Sequence, residues 1–344
     1  MGLFNEKIEN WHDWGMIYQS IPAFQPLIEY IIRKEGLPVV GLENLMPGTN
    51  AVFKAGGYVV KVFAPGESGI DQTVDLQTEL FSTRRANELG IPSPRLVANG
   101  HVDDKYRFAY MITDYIHGVE LDKVFRSLPG NTKIAIGKRL REITDAINTP
   151  CRSFNGIDAI SDKMRYRRWD KYPECFKAER LAYITNHDFG GKVFVHGDLC
   201  MDNIILAWPG DHGNGNPADA QTNGMRKMAY ANCSSFMDGQ GLAQGWDLYI
   251  IDFADALLAP LCYEHALVAF SFELDPMLLR GYFPEYMHGG NLLDSFTSML
   301  YNGLLIHDFG GDIVRDSVCG IDDIQCIYDL SDRLANLLKK KQLS

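Results

Sequence analysis

The sequence predicts an α+β protein: a small antiparallel sheet interrupted by one helix, followed by a mainly helical remainder. Three observations carry this expectation. Short runs rich in β-branched and aromatic residues (LPVVGLENL, AVFK, YVVKVF, PRLVANG, RFAYMITDYI) crowd the first third, bounded by glycine and proline. After Gly118 the apolar residues recur instead at spacings of three and four. A chain of 344 residues is also long enough for two lobes around a shared cleft.

Taken in order, PLIEYIIRKEG predicts an early helix with Pro26 in its first turn and Gly36 just past its end. Ala55, Gly56 and Gly57 form a tight turn between AVFK and YVVKVF, so these runs should pair as a hairpin. A helix over 74–89 should stop at Gly90, ahead of Pro92-Ser93-Pro94. Over 132–148, Ile136, Leu140, Ile143 and Ile147 share one face of a helix that Pro150 ends. Further helices are expected at 177–186, 264–272, 292–305 and 321–338. A Gly-, Asn- and Asp-rich segment over 207–246 should be largely loop, with a short strand at RKMAY. No internal repeat is present.

Composition narrows the function classes. With 33 basic and 44 acidic residues the net charge is −11, which disfavours a nucleic-acid or anionic-membrane surface. The acidity concentrates after Phe253, where 13 acids meet 6 Lys plus Arg. Such a stretch suits a cationic small molecule, or is a plain solvated surface. No apolar run reaches the length of a membrane span. The N-terminal MGLFNEKIEN lacks a signal-peptide pattern, and Glu6 breaks a myristoylation pattern, so the expected location is cytoplasmic. The seven cysteines (151, 175, 200, 233, 262, 319 and 326) are odd in number and form no Cys-x-x-Cys pair, which fits free thiols in a reducing compartment.

The chemistry concentrates in VFVHGDLCMDNIIL. It reads as a strand, a turn carrying His196, Gly197 and Asp198, and a second strand beginning at Asn203. YIIDFADA then brings another apolar strand that ends in Asp252. Asp-x-x-x-x-Asn, a strand, and Asp-Phe is an arrangement suited to magnesium-dependent phosphoryl transfer. One carboxylate, Asp198, orients or deprotonates an attacking hydroxyl, while Asn203 and Asp252 supply hard oxygen ligands. Such a site needs a cation for the nucleotide phosphates. Lys61 in VVKVF, read alone, is an edge-strand lysine facing solvent; Glu79, early on the following helix, offers it a partner. The turn Gly48-Thr49-Asn50 could bring backbone N–H groups near phosphate oxygens. The rival readings are weak. Zinc would need a second pair of soft ligands beside His196 and Cys200, and a Cys–His hydrolase an identifiable oxyanion site.

Together these residues resemble the aminoglycoside phosphotransferase and choline kinase superfamily, small-molecule relatives of the protein kinases. The resemblance rests on His196-Gly197-Asp198 with Asn203, Asp252-Phe253, Lys61 with Glu79, and Gly48-Thr49-Asn50. It implies a bilobal protein-kinase-like fold, with a small antiparallel-sheet N-lobe holding one key helix and a larger, mainly helical C-lobe. The lobes would span 1–112 and 119–344, joined by a hinge at 113–118. It implies ATP (or GTP) and magnesium as cofactors and a small-molecule hydroxyl acceptor, without nucleic acid or membrane. Asp198 would be the catalytic residue, Asn203 and Asp252 the metal ligands, and Lys61 the phosphate-binding cation. The Asp114 carbonyl and the Ile116 N–H would bind adenine, and His196 would brace the loop. Asn203 and Asp252 stand 49 residues apart where relatives need only a short hairpin, marking 207–246 as an insertion. The resemblance also implies a later Asp, for which Glu264 is the candidate stand-in here. The segment after DFADA has no Ala-Pro-Glu signal, which disfavours a protein kinase. The alternative is a non-catalytic kinase-fold nucleotide-binding or scaffold protein, which would need none of these residues.

Overall fold

The computed structural model describes residues 2–46, 48–162, 167–212, 237–238, 241–242, 246–286 and 292–341. Asn10 caps helix α1 (Trp11–Ile17), its side chain accepting from the Asp13 N–H. Ser20 caps α2 (Ile21–Lys34) through the Ala23 N–H. Pro22 therefore occupies the first turn, and α2 begins five residues before the expected start at Pro26, which lies inside the helix. The serine cap supplies the start signal; Pro26 removes only one early backbone bond. The other end is as expected. Gly36, at φ 69°, donates to the Arg33 carbonyl while Leu37 N–H reaches back to Ile32, the paired bonds of a glycine-terminated helix.

A five-stranded antiparallel sheet follows, from β1 (Leu42–Asn44), β2 (Ala51–Ala55), β3 (Tyr58–Val62), β4 (Leu96–Asp103) and β5 (Arg107–Asp114), in the order β1-β2-β3-β5-β4. Ala55 pairs with Tyr58, so Gly56 and Gly57 alone turn the expected hairpin. Helix α3 (Thr73–Glu88) lies between β3 and β4 in sequence and ends ahead of Gly90 as expected. Because strand side chains alternate, Ala51, Phe53, Val60, Val62, Phe108, Tyr110 and Ile112 turn to one face, where they form a core with Trp14, Phe24, Leu27 and Ile28 of α1 and α2. Full burial of residues such as Phe24 and Phe53 contributes about 1.5–3 kcal/mol each. Lys61 and its cross-strand partner Met111 face the other way.

At Asp114 the chain leaves this sheet. Tyr115 N–H bonds the Gly57 carbonyl, and β6 (Ile116–Glu120) joins a second sheet. There it pairs with one edge of β8 (Ile204–His212), whose other edge pairs with β11 (Asp247–Ile250). RFAYMITDYI is thus split between two sheets. Helices α4 (Leu121–Val124), α5 (Gly130–Ile147) and α6 (Glu174–Asn186) precede β7 (Lys192–Val195). The two-residue strands β9 (Met237–Asp238) and β10 (Gly241–Leu242) pair with each other, and β12 (Leu257–Pro260) pairs with β7. The chain closes with α7 (Leu261–Ser271), α8 (Pro276–Tyr282), α9 (Leu292–Ile306), α10 (Gly310–Ile313) and α11 (Ile327–Lys340). These helices and strands β7, β8, β11 and β12 enclose a second apolar core around Leu140, Phe194, Tyr263 and Leu304. Two cores, one under an antiparallel sheet and one among helices, make the fold bilobal and protein-kinase-like.

The helix expected over 321–338 is broken. Asp329 accepts from the N–H groups of Gln325 and Cys326, so α11 starts only at Ile327 and 321–323 forms a separate turn. The strand expected at RKMAY, and most of 207–246, lie outside the described residues. So does Cys233; the other six cysteines are free thiols. Among the described residues no helix is long and apolar enough to cross a membrane.

One buried histidine ties this core to pH. His265 is 5% exposed, edge-on to Tyr282 and Phe283, and burial followed by the Arg141 charge lowers its pKa to about 3. The unfolded chain takes up a proton near pH 6.5 that the folded one refuses, so stability present above that pH is lost as pH falls towards 3. Replacing His265 by Phe should leave stability near pH 7.5 unchanged or higher. It should also remove on the order of 2 kcal/mol of the acid-induced loss between pH 6.5 and pH 4.5. Urea unfolding at both pH values reads this, and equal acid loss in both proteins would refute it.

Candidate active site

Strand β7 delivers the chain into the His196-Gly197-Asp198 turn. Gly197 has φ 85°, and a Cβ there would overlap the Asp255 carbonyl, so the close approach of two loops requires glycine. His196 is 1% exposed; its Nε2 lies 3.0 Å from the Ile251 carbonyl, and its Nδ1 accepts the Asp198 N–H at 3.2 Å. Those partners fix a neutral imidazole with the proton on Nε2. Burial lowers its pKa to about 4, which keeps it neutral. His196 is a brace between two loops, as the sequence suggested, and not a metal ligand.

Beneath the turn lies Glu264 of α7, fully buried. Its Oε1 accepts the His196 N–H at 2.8 Å and its Oε2 the Gly197 N–H at 3.1 Å, while Asn148 Nδ2 stands 3.4 Å from Oε1. Burial pushes the carboxyl upward and these N–H groups oppose it. Sequence alone left Glu264 as a substitute of unknown purpose; the structure makes it the support of the turn.

Asp198 is half-buried. Asn203 Nδ2 donates to its carbonyl at 2.8 Å and to its Oδ2 at 3.0 Å. Burial, then the charges of Asp255 and Asp252, raise the Asp198 pKa to about 7. With Nδ2 held by two acceptor oxygens, the Asn203 Oδ1 is left facing away from Asp198. Cys200 between them is a half-buried thiol that burial pushes up to about 12, unsuited to nucleophilic work.

The second loop follows β11. Asp252 has φ 58°, a left-handed backbone uncommon for a residue with a side chain, and the neighbouring Ile251 N–H bonds the Asn203 carbonyl at 3.0 Å. Asp252 Oδ1 stands 3.2 Å from Lys61 Nζ, and Glu79 Oε2 stands 2.7 Å from the same nitrogen. Glu79 is buried and the Lys61 side chain only 12% exposed, whereas the Asp252 side chain is 48% exposed. Burial alone would lower the Lys61 pKa, but Asp252 and Glu79 outweigh it and hold the ammonium charged. Lys61 draws Asp252 below its usual range, while burial pushes Glu79 up. Helix α3 brings Glu79 here on a buried face that is small and polar, with Thr78, Ser82 and Thr83. Asn155 ties that helix to the Asp252 loop, donating to Thr78 Oγ1 at 3.1 Å and to the Ala256 carbonyl at 2.8 Å.

Thr49 and Asn50 lead into β2, which pairs with the Lys61 strand. Asn50 is 4% exposed, and its Oδ1 has no partner among the described residues. Asp114 and Ile116 occupy the connection between the two sheets. The Asp114 carboxylate is buried and paired with Arg95 at 3.1 Å, and Ile116 stands opposite His212 of β8. Lys61, Glu79 and Asp252 thus meet directly, and Asp198 meets Asn203. Three participants were not read from sequence: Asn148, Asn155 and Asp255. An isolated asparagine in a loop carries no periodic or motif signal; Asp255 stood in the DFADA motif beside Asp252 and was the one that could have been found.

The phosphotransferase enzyme family model (APH) matches residues 49–215, a span that includes Asn50, Lys61, Glu79, Asp198 and Asn203 and stops before Asp252. Over those residues the chain resembles the phosphotransferase enzyme family. Among solved structures, the streptomycin–ATP ternary complex of APH(2")-IIa is 12% identical, with 88% of this chain and 97% of that chain covered at a TM-score of 0.51. A microcompartment-associated aminopropanol kinase is 13% identical over 92% of this chain and 99% of that chain, with a TM-score of 0.50. At such identities the likeness is one of fold. The search of curated proteins gives no match.

Replacing Glu264 by Gln keeps its shape but sets an NH2 against a backbone N–H in a buried place. The expected loss is about 1–3 kcal/mol of folding stability. Urea denaturation measures it, and an unchanged midpoint would show that the two backbone bonds contribute nothing.

Proposed function

We propose that the protein is an ATP- and magnesium-dependent phosphotransferase that moves the γ-phosphate to a hydroxyl of a small polar molecule. The observation that carries this reading is the ion triad in which Lys61 Nζ meets Glu79 and Asp252, one residue from β3, one from α3 and one from the loop after β11. A scaffold has no use for a charged lysine held at that junction. The lobes are taken as 1–112 and 119–344, with 113–118 as the hinge along which the Asp114 carbonyl and the Ile116 N–H bind the base. GTP is the alternative nucleotide.

In this reading Asp198 takes up or orients the proton of the acceptor hydroxyl. Its raised pKa reflects the burial and negative field that a proton acceptor at this place needs. Lys61 binds the α- and β-phosphates, and Glu79 keeps its ammonium in place. The turn ending at Asn50 covers the phosphates. The Asp252 carboxylate and the Asn203 Oδ1 form a hard oxygen donor set, which suits magnesium. When bound, magnesium supplies charge neutralisation at the β- and γ-phosphates.

The acceptor is a polar molecule such as an aminoglycoside, an amino alcohol or a sugar derivative. The acid-rich stretch after Phe253 favours one bearing an amine. The protein is taken as cytoplasmic, in keeping with its free thiols.

A coupled ADP-release screen over aminoglycosides, choline, ethanolamine, homoserine and sugars tests the activity. Turnover with any of them supports it, and a flat response to all, with magnesium–ATP still bound, favours the scaffold alternative. Asp198→Ala should lower kcat by roughly 10²-fold or more while leaving nucleotide affinity within twofold, because the proton acceptor and the phosphate clamp are separate parts. Normal turnover by this variant would remove Asp198 from the chemistry. Asp252→Ala should raise the magnesium concentration needed for half-maximal nucleotide binding at least tenfold. An unchanged magnesium titration would remove Asp252 from the metal site.

A further inference from the structure

Trp14, which belongs to no motif, reaches the loop that covers the phosphates in the reading above. It is fully buried in α1, edge-on to Phe24, and its indole Nε1 donates to the Thr49 carbonyl at 2.9 Å. Thr49 and Asn50 share one peptide plane, and in a trans peptide the carbonyl and the N–H point in opposite directions. Trp14 lies on the α1–α2 side of the sheet, in the core with Ala51, Phe53 and Val62. Lys61 occupies the other face, with Glu79. The indole therefore holds the Thr49 carbonyl towards the core and turns the Asn50 N–H towards the face that carries the Lys61 ammonium. Helix α1 also packs against 66–68, the turn that follows the Lys61 strand and leads into α3. A single N-terminal helix thus touches the chain just before β2 and just after β3.

We propose that Trp14 is a positioning residue for nucleotide binding, presetting the Thr49–Asn50 peptide so that its N–H faces the phosphates beside Lys61. The proposal rests on the nucleotide reading of this cleft. A loop without the indole bond spends part of its time with that peptide rotated. Binding then falls by the fraction of molecules in the competent arrangement, while the transfer step, once nucleotide is bound, is untouched.

Three variants test this, read by calorimetric binding of magnesium–ATP and by thermal unfolding. Trp14→Phe keeps an aromatic ring without the N–H. Benzothienylalanine placed at position 14 alone keeps the full indole shape with sulfur in place of the N–H. Phe24→Leu loosens the same core but leaves the indole bond intact. Both N–H-less proteins are expected to bind magnesium–ATP about three- to tenfold more weakly, whereas Phe24→Leu keeps wild-type affinity at a comparable loss of Tm. In turnover assays the nucleotide KM should rise with kcat and acceptor KM within twofold. If benzothienylalanine at position 14 leaves affinity unchanged while Lys61→Ala abolishes it, the role of Trp14 is overturned and the nucleotide reading stands. If the wild-type protein binds no magnesium–ATP, that reading fails and the proposal with it. Equal weakening by Phe24→Leu would reduce Trp14 to a core residue and overturn the proposal.

Discussion

An ammonium held between two carboxylates is the constraint on which the rest of the site depends. Lys61 has only its charge and one point of attachment, so where it sits depends on Glu79 and Asp252. Removing charges from water costs about as much as the pairing returns, so the triad is a poor source of net stability. Its physical value is position. Glu79 is fixed by a helix, Asp252 by a strained backbone in the second lobe's loop, and their shared partner registers the two lobes on each other.

The same economy governs the loop bearing Asp198. It has no regular structure of its own, and several of its polar groups are claimed by something rigid. Glu264 takes two of its N–H groups, and Asn203 binds the Asp198 carbonyl and carboxylate. His196 spans to the Ile251 carbonyl. Buried polar groups with every bond made hold one geometry, because any other leaves a group unsatisfied. The loop that presents Asp198 is therefore held from α7 below, from the Asn203 turn beside it and from the Asp252 loop opposite.

The sheet divides its labour by strand alternation. One face, with Phe53, Val60 and Phe108, is glued to α1 and α2 by apolar burial. The other presents Lys61 beside a helix whose buried face is unusually polar. A helix that buries Thr78, Glu79, Ser82 and Thr83 is costly unless it serves a site, and Asn155 links it to the Asp252 loop.

The sequence by itself determined the order of the parts. Glycine turns, proline stops and apolar periodicity placed most helices and strands. Asp-x-x-x-x-Asn with a later Asp-Phe marked the candidate site, because residues on one loop and one strand end leave a local spacing. It misread the start of α2, where a serine cap outweighed a proline signal, and the continuity of α11, where Asp329 captures two N–H groups ahead of the helix. Only the tertiary structure decided that Asp252 shares Lys61 with Glu79, that Glu264 supports the His196 turn, and that Gly197 lies against Asp255. Those pairings join residues far apart in the chain, and nothing in the spacing of such residues records which side chain will meet which.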